Sequence, residues 1–331
     1  MLLLVIVAVT TVLALTYALW DIDFSELGRL LSGGDYWVVA PFLALLAIFY
    51  WIKAIRWVLI LKPVGQFSLS EVTPAMVIGY AGNNVLPAHL GELIRTVIFA
   101  RRYGKSISSV ATTLLVERVF DLIAILSLYA AGMAMIGAPP ESLEIGAWFI
   151  TLLVASFIVT IAIILYKPNL VLVFWDWIGT HLPGTLVKHV SGILHNVITA
   201  FSSLRSPSQV AVMIAWSVLK WSLMAAMVWL SLIAYGTDVS PAISMILLAV
   251  LALAAAIPNA PGYIGAIQAA YVFALRPFGV SEETAFAASV LFLVCQWVPV
   301  TAAGVTYFIS GSLHVTELRR EVEEAEEGTA S

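Results

Sequence analysis

Six stretches of this sequence, Leu2 to Trp20, Tyr36 to Leu61, Ile107 to Ile136, Leu143 to Tyr166, Gln209 to Tyr235 and Thr284 to Ser310, are about as long and apolar as a bilayer crossing requires. In hydrocarbon every backbone polar group needs a partner within the protein, which leaves few ways to cross, and the helical one suits runs of this length. The expected fold class is an all-α polytopic membrane protein with about six full transmembrane helices. Composition agrees: 61% of the 331 residues are hydrophobic, 11% are charged and the mean hydropathy is +1.00, which excludes an ordinary soluble domain.

The net charge of -4 carries little information, because six glutamates fall between Glu317 and Glu327, against Arg319 and Arg320. Residues 311–331 are expected to be a disordered acidic tail. The single cysteine, Cys295, excludes an intrachain disulfide and a multi-cysteine metal cluster. No cofactor, metal or nucleic acid is expected. The first segment ends in Tyr17 and Trp20 without a small-residue cleavage site, and it is read as an uncleaved span. Basic residues then orient the chain: Lys62, Arg101, Arg102 and Lys105 mark cytoplasmic ends, and both termini are expected in the cytoplasm, with the protein in the cytoplasmic membrane.

Two further apolar pieces are short and broken. Val72 to Leu86 is interrupted by Gly79, Gly82, Asn83 and Asn84 and followed by Pro87 and a helix-like run to Arg102, with basic residues beyond. A re-entrant helical hairpin satisfies its length, breakers and charge together. Ala242 to Ile257, the break Pro258-Asn259-Ala260-Pro261-Gly262, and Tyr263 to Leu275 read as a second hairpin from the opposite face, although 242–257 nearly suffices to cross alone. Pro87, Gly91, Phe99, Ala100 and Arg102 recur at constant offset as Pro261, Gly265, Phe273, Ala274 and Arg276. The pattern implies one domain, 1–310, built from inverted halves of about 37–136 and 209–310, with an interfacial segment at 167–206.

Thr73 to Asp121 places many polar groups in a lipid-compatible sequence, and such groups usually line a protein interior or a wet cavity. Each hairpin's second arm starts just after a proline, so two half-helix N-termini would present N–H groups near mid-depth, where an anion such as phosphate fits. Candidate substrate-binding residues are Asn83, Asn84, His89, Glu92, Arg95, Glu117, Arg118, Asp121, Lys220, Asn259, Gly262 and Gln268. Glu92 and Arg95 share a helix face, as do Glu117 and Asp121, whose two charges exceed what one arginine neutralises; an external cation, a proton or Lys220 would complete the balance. The alternative for Glu117, Arg118 and Asp121 is an intrahelical network, and for Asn83 and Asn84 repair of the hairpin backbone. Lys53 and Arg56 read as interfacial anchors. His181, His189 and His195 lack metal-site spacing and read as a solvated face.

GNNVLPAHLGELIR at Gly82 to Arg95, ERVFD at Glu117 to Asp121 and PNAPGYIGAIQAA at Pro258 to Ala270 resemble the membrane region of bacterial lysylphosphatidylglycerol synthetases, a unit that also occurs as stand-alone flippase-like proteins and fused to glycosyltransferases. The resemblance implies movement of an anionic lipid or lipid-linked phosphate between leaflets, with a glycosyltransferase or synthase as a further partner. Three positions depart from the pattern: Gln268 stands where an acidic residue is common, and Leu293 and His89 where arginine is. A membrane-embedded enzyme, or an accessory subunit for lipid-linked glycosyl or aminoacyl transfer, is the competing expectation.

Overall fold

Helices form where the apolar segments lie, because a run without a polar partner outside itself must close its hydrogen bonds locally. The computed structural model describes residues 2–87, 90–137, 167–180, 207–257 and 260–310, with isolated positions between 152 and 194. Helix α1 (Leu2–Leu19) turns by 86° into α2 (Phe24–Gly33), whose start is fixed by Asp23 accepting from the N–H groups of Ser25 and Glu26. A short 3₁₀ turn leads into α3 (Val39–Leu61). Helix α4 (Leu69–Val85) begins with a capping box in which Glu71 accepts from the Ser68 hydroxyl and backbone N–H; these bonds hold the Glu71 carboxyl below its ordinary range. Then come α5 (Leu90–Arg102), α6 (Ile107–Ile136), α7 (Pro168–Gly179), α8 (Pro207–Ile233), α9 (Pro241–Ala256), α10 (Ala266–Leu275) and α11 (Glu282–Ile309). Among the described residues there is no strand.

Four described helices are long and apolar enough to cross a membrane, or five if α1 and α2 count as one bent span. Of the six crossings expected, 107–136 and the segments over 36–61, 209–235 and 284–310 correspond to α6, α3, α8 and α11. The segment 143–166 lies outside the continuously described residues, as does the interfacial stretch beyond α7.

Helices α4 and α5 are antiparallel arms in close contact. A Cβ built on Gly91 would sit 2.0 Å from the Gly79 carbonyl oxygen and 2.4 Å from the Asn83 nitrogen, so only glycine permits this crossing. Helix α9 is 16 residues, a rise of about 24 Å, short of the ~30 Å hydrocarbon core, and it packs alongside α10. Between the arms of this second pair lies the turn Pro261–Tyr263, where Gly262 and Tyr263 both adopt positive φ, 69° and 61°.

Helix contacts repeat between the two halves. Exchanging α3, α4, α5 and α6 for α8, α9, α10 and α11 maps the pairing α4–α11 onto α9–α6, α4–α5 onto α9–α10, α3–α6 onto α8–α11 and α6–α8 onto α11–α3, while α3–α8 maps onto itself. Each half therefore lays its hairpin against the last helix of the other. Apolar packing follows suit: one large core gathers Phe42, Phe49, Met227, Leu247, Tyr271 and Phe292, and a second gathers Trp57, Met76, Phe99 and Val110 beneath the first hairpin.

Candidate functional site

Six charged residues are buried among those described: Lys53, Arg56, Arg95, Glu117, Asp121 and Lys220. They converge from four helices. Lys53 and Arg56, three apart on α3, face α6 and its Glu117 and Asp121, four apart; Arg95 comes from α5 and Lys220 from the middle of α8. Helical spacing puts each pair on one face, and the packing of α3, α5 and α8 around α6 brings the faces together.

The ion pairs climb α6 in order. Arg95 Nη2 donates to Glu117 Oε2 at 3.1 Å, while its guanidinium lies 3.6 Å from the Trp57 ring centre and Nη1 donates to the Tyr80 hydroxyl at 3.2 Å. One turn on, Asp121 Oδ1 accepts both Arg56 Nη1 at 2.7 Å and Lys220 Nζ at 2.6 Å. Arg56 and Lys220 are wholly buried, and Lys53 is only 9% exposed. Lys53 Nζ lies over rings, Tyr80 at 3.8 Å, Phe49 at 5.3 Å and Tyr50 at 5.9 Å from their centres, and forms no ion pair among the described residues. Four buried cations thus stand against two buried carboxylates, so with every group ionised the interior carries a surplus of two positive charges. Bare charge in low dielectric is costly unless matched, so the imbalance of four basic against two acidic groups is the feature of the fold that most calls for explanation.

An outer pair lies beside the cluster. Glu92 and Arg118 form a salt bridge with the Arg118 side chain 55% exposed, and Arg118 acts electrostatically on Tyr263 at the second hairpin's turn. The two helix breaks meet here. Asn84 Nδ2 donates to Thr301 Oγ1 at 2.9 Å and to the Trp297 carbonyl at 3.3 Å, and Trp297 Nε1 returns a bond to the Asn84 carbonyl at 3.1 Å. A Cβ on Gly262 would lie 2.8 Å from Trp297 Nε1 and 3.4 Å from that same carbonyl oxygen, so the glycine lets the two turns close on one another.

Several sequence expectations change in this light. Lys53 and Arg56 are not interfacial anchors; burial against α6 and α8 makes them members of the cluster. Glu92 and Arg95, expected to share a helix face, each reach a different residue of α6, Arg118 and Glu117. Of the groups expected to complete the balance of Glu117 and Asp121, Lys220 is the one that reaches Asp121, and Arg56 joins it there while Arg95 meets Glu117. Gln268 spends its Oε1 on the backbone N–H of Gly265 at 2.7 Å, capping its own helix start. Asn83 packs against Gly91 with its Oδ1 unpartnered among the described residues. His89 and Asn259 lie outside the described residues, as do His181, His189 and His195. Among the described residues no group of three His, Cys, Asp or Glu side chains is arranged to hold a metal ion.

Trp57, Tyr80, Tyr263, Trp297 and Thr301 also join the site without having been singled out. For Lys53 and Arg56 a signal was present: two bases at i and i+3, more than a turn inside the end of a span and on the face of Phe49, Ile52 and Ile60. A cavity of about 430 Å³ opens between the ends of α3 and α8, lined by Leu59, Lys62, Ser208, Gln209 and Met213 among others; Met213 is two turns, about 10 Å, from Lys220 along α8.

Comparison with known proteins reports on the whole chain. Residues 2–304 match the family described as Lysylphosphatidylglycerol synthase TM region. The chain is 25% identical over 315 residues to the glycosyltransferase AglD of Haloferax volcanii, covering 85% of this chain and 50% of that protein, so it spans about half that relative's length. It is also similar to a UPF0104 membrane protein of Methanothermobacter thermautotrophicus, at 24% identity over 81% of this chain and 82% of the relative. A second UPF0104 protein, from Methanocaldococcus jannaschii, matches at 22% identity over 68% and 92%. With a buried polar cluster framed by apolar helices and a family match over nearly its full length, this multi-pass membrane protein belongs to the lysylphosphatidylglycerol synthase transmembrane-region family.

Proposed function

We propose that the protein moves an anionic phospholipid or a polyprenyl-phosphate-linked substrate between membrane leaflets. One observation carries the proposal: four buried basic side chains stand against two buried carboxylates, gathered from α3, α5, α6 and α8. Headgroup phosphate is the anion a lipid bilayer supplies, and a site that binds it away from water lowers the cost of carrying it across hydrocarbon. Inverted repeats with broken helices near the midplane are a plan shared by many secondary transporters, and the repeated contact pattern suits that plan. In this reading the charge comes from side chains on α3, α5 and α8 more than from half-helix N-termini. The exposed Arg118, its partly buried partner Glu92 and Tyr263 form the threshold between the paired turns and the buried cluster.

Purified protein in liposomes carrying headgroup-labelled anionic lipid tests this. Loss of inner-leaflet label to an impermeant quencher should run well above protein-free vesicles, faster for anionic than for zwitterionic lipid. A rate equal to that of empty vesicles sinks it. The match to half of a protein named as a glycosyltransferase favours a second reading, an accessory membrane region for lipid-linked glycosyl transfer. Under it, the same vesicles show no exchange, and the purified chain binds a glycosyltransferase.

A further inference from the structure

Asp121 occupies an unusual position for a structural ion-pair partner. A single oxygen, Oδ1, takes both Arg56 Nη1 and Lys220 Nζ. The guanidinium's other edge is empty: Arg56 Nε and Nη2 are buried and have no partner among the described residues. Those two N–H groups are the side-on fork of arginine, parallel donors spaced for two oxygens of a phosphate or carboxylate. Lys53 Nζ lies over rings without an ion pair among the described residues, and the Phe49 ring that it approaches at 5.3 Å is also approached by Lys220 Nζ at 5.6 Å. Three basic groups therefore gather around Asp121, and Glu117 also acts electrostatically on Lys53 and Lys220.

We propose that Asp121 is an internal stand-in for the substrate's phosphate: a phosphate oxyanion docks on the Arg56 fork and on Lys53, and displaces the Asp121 carboxylate from Lys220. This rests on the reading of the protein as a carrier of anionic lipid, and adds how the site releases its load. A resident carboxylate that competes for the same cations keeps the empty site neutral enough to persist and keeps the loaded site from holding its ligand too tightly. Phosphate suits the place better than a singly charged carboxylate because its tetrahedral oxygens meet a fork and two ammonium groups from different helices. With every group ionised, one phosphodiester lowers the surplus of two charges to one, and a phosphomonoester dianion removes it.

The test measures affinity in phosphatidylcholine nanodiscs by calorimetry, with inorganic phosphate and with short-chain phosphatidylglycerol as separate probes. The wild-type chain is expected to bind the short-chain lipid. Asp121→Asn keeps the shape but removes the competitor, and should bind about tenfold tighter. Lys53→Gln removes a basic group that forms no ion pair among the described residues and should bind about tenfold weaker. Binding of both probes supports the shared phosphate chemistry, and binding of the lipid alone supports it with the headgroup as the source. Equal or weaker affinity in Asp121→Asn overturns the proposal. Should that variant not fold, unchanged affinity in Lys53→Gln overturns it instead. Tighter binding in Asp121→Asn without leaflet exchange in liposomes upholds the site and removes the transport reading; exchange with weaker binding in that variant does the reverse.

Discussion

Glu117 and Asp121, one turn apart on α6, keep different company, and the difference sets what each substitution does. Glu117 has one arginine, Arg95, itself stacked on Trp57. Arg95→Met strands a carboxylate inside the protein and should lower stability by about 3–5 kcal/mol, whereas pairing it with Glu117→Gln should recover most of that loss. Thermal unfolding of the single and double variants in detergent checks it; a double variant no better than the single refutes the pairing. The outer pair differs because it is less enclosed, with the Arg118 side chain 55% exposed and that of Glu92 25%. Arg118→Gln should cost no more than about 1 kcal/mol in stability yet slow leaflet exchange, a combination that a purely structural salt bridge does not produce.

Close approach governs the elements. The crossing of α4 and α5 depends on Gly79 and Gly91, and the contact of α4 with α11 brings Gly304 against Ala81 in the same way. Gly91→Ala places a methyl group into backbone, with no flexible neighbour to yield. The expected loss is about 1–3 kcal/mol, together with separation of the arms that hold Tyr80 against Arg95. By contrast, a Cβ at Gly28 in α2 meets nothing within 4 Å, so Gly28→Ala should be neutral or stabilising by up to ~1 kcal/mol. Comparing the melting temperatures of the two variants separates packing from helix propensity; equal shifts contradict the packing account. The break itself was readable from Gly79, Gly82, Asn83, Asn84 and Pro87, since these residue types punctuate a helix wherever they occur. Which atoms fill the break was not readable, because Trp297 and Thr301 arrive from more than two hundred residues away.

For the whole molecule, the matching contacts of the two halves raise the question of their orientation. From the charge pattern we propose that the loop after α5 faces the cytoplasm and the loop after α8 the outside. Cysteines introduced in place of Arg101 and Asp238, after replacing the buried Cys295, should react with impermeant reagent from opposite sides of sealed vesicles. Labelling from one side alone would mean that the halves are not inverted. Sequence alone established a multi-pass helical membrane protein, because apolar run length and backbone hydrogen bonding are local properties that no tertiary contact can overrule in lipid. The sign of the buried charge was decided only by the fold. Lys53 and Arg56 look the same on paper whether a helix end meets headgroups or another helix, and it is the packing of α3 on α6 and α8 that takes them out of water and turns two presumed anchors into half of a cationic interior.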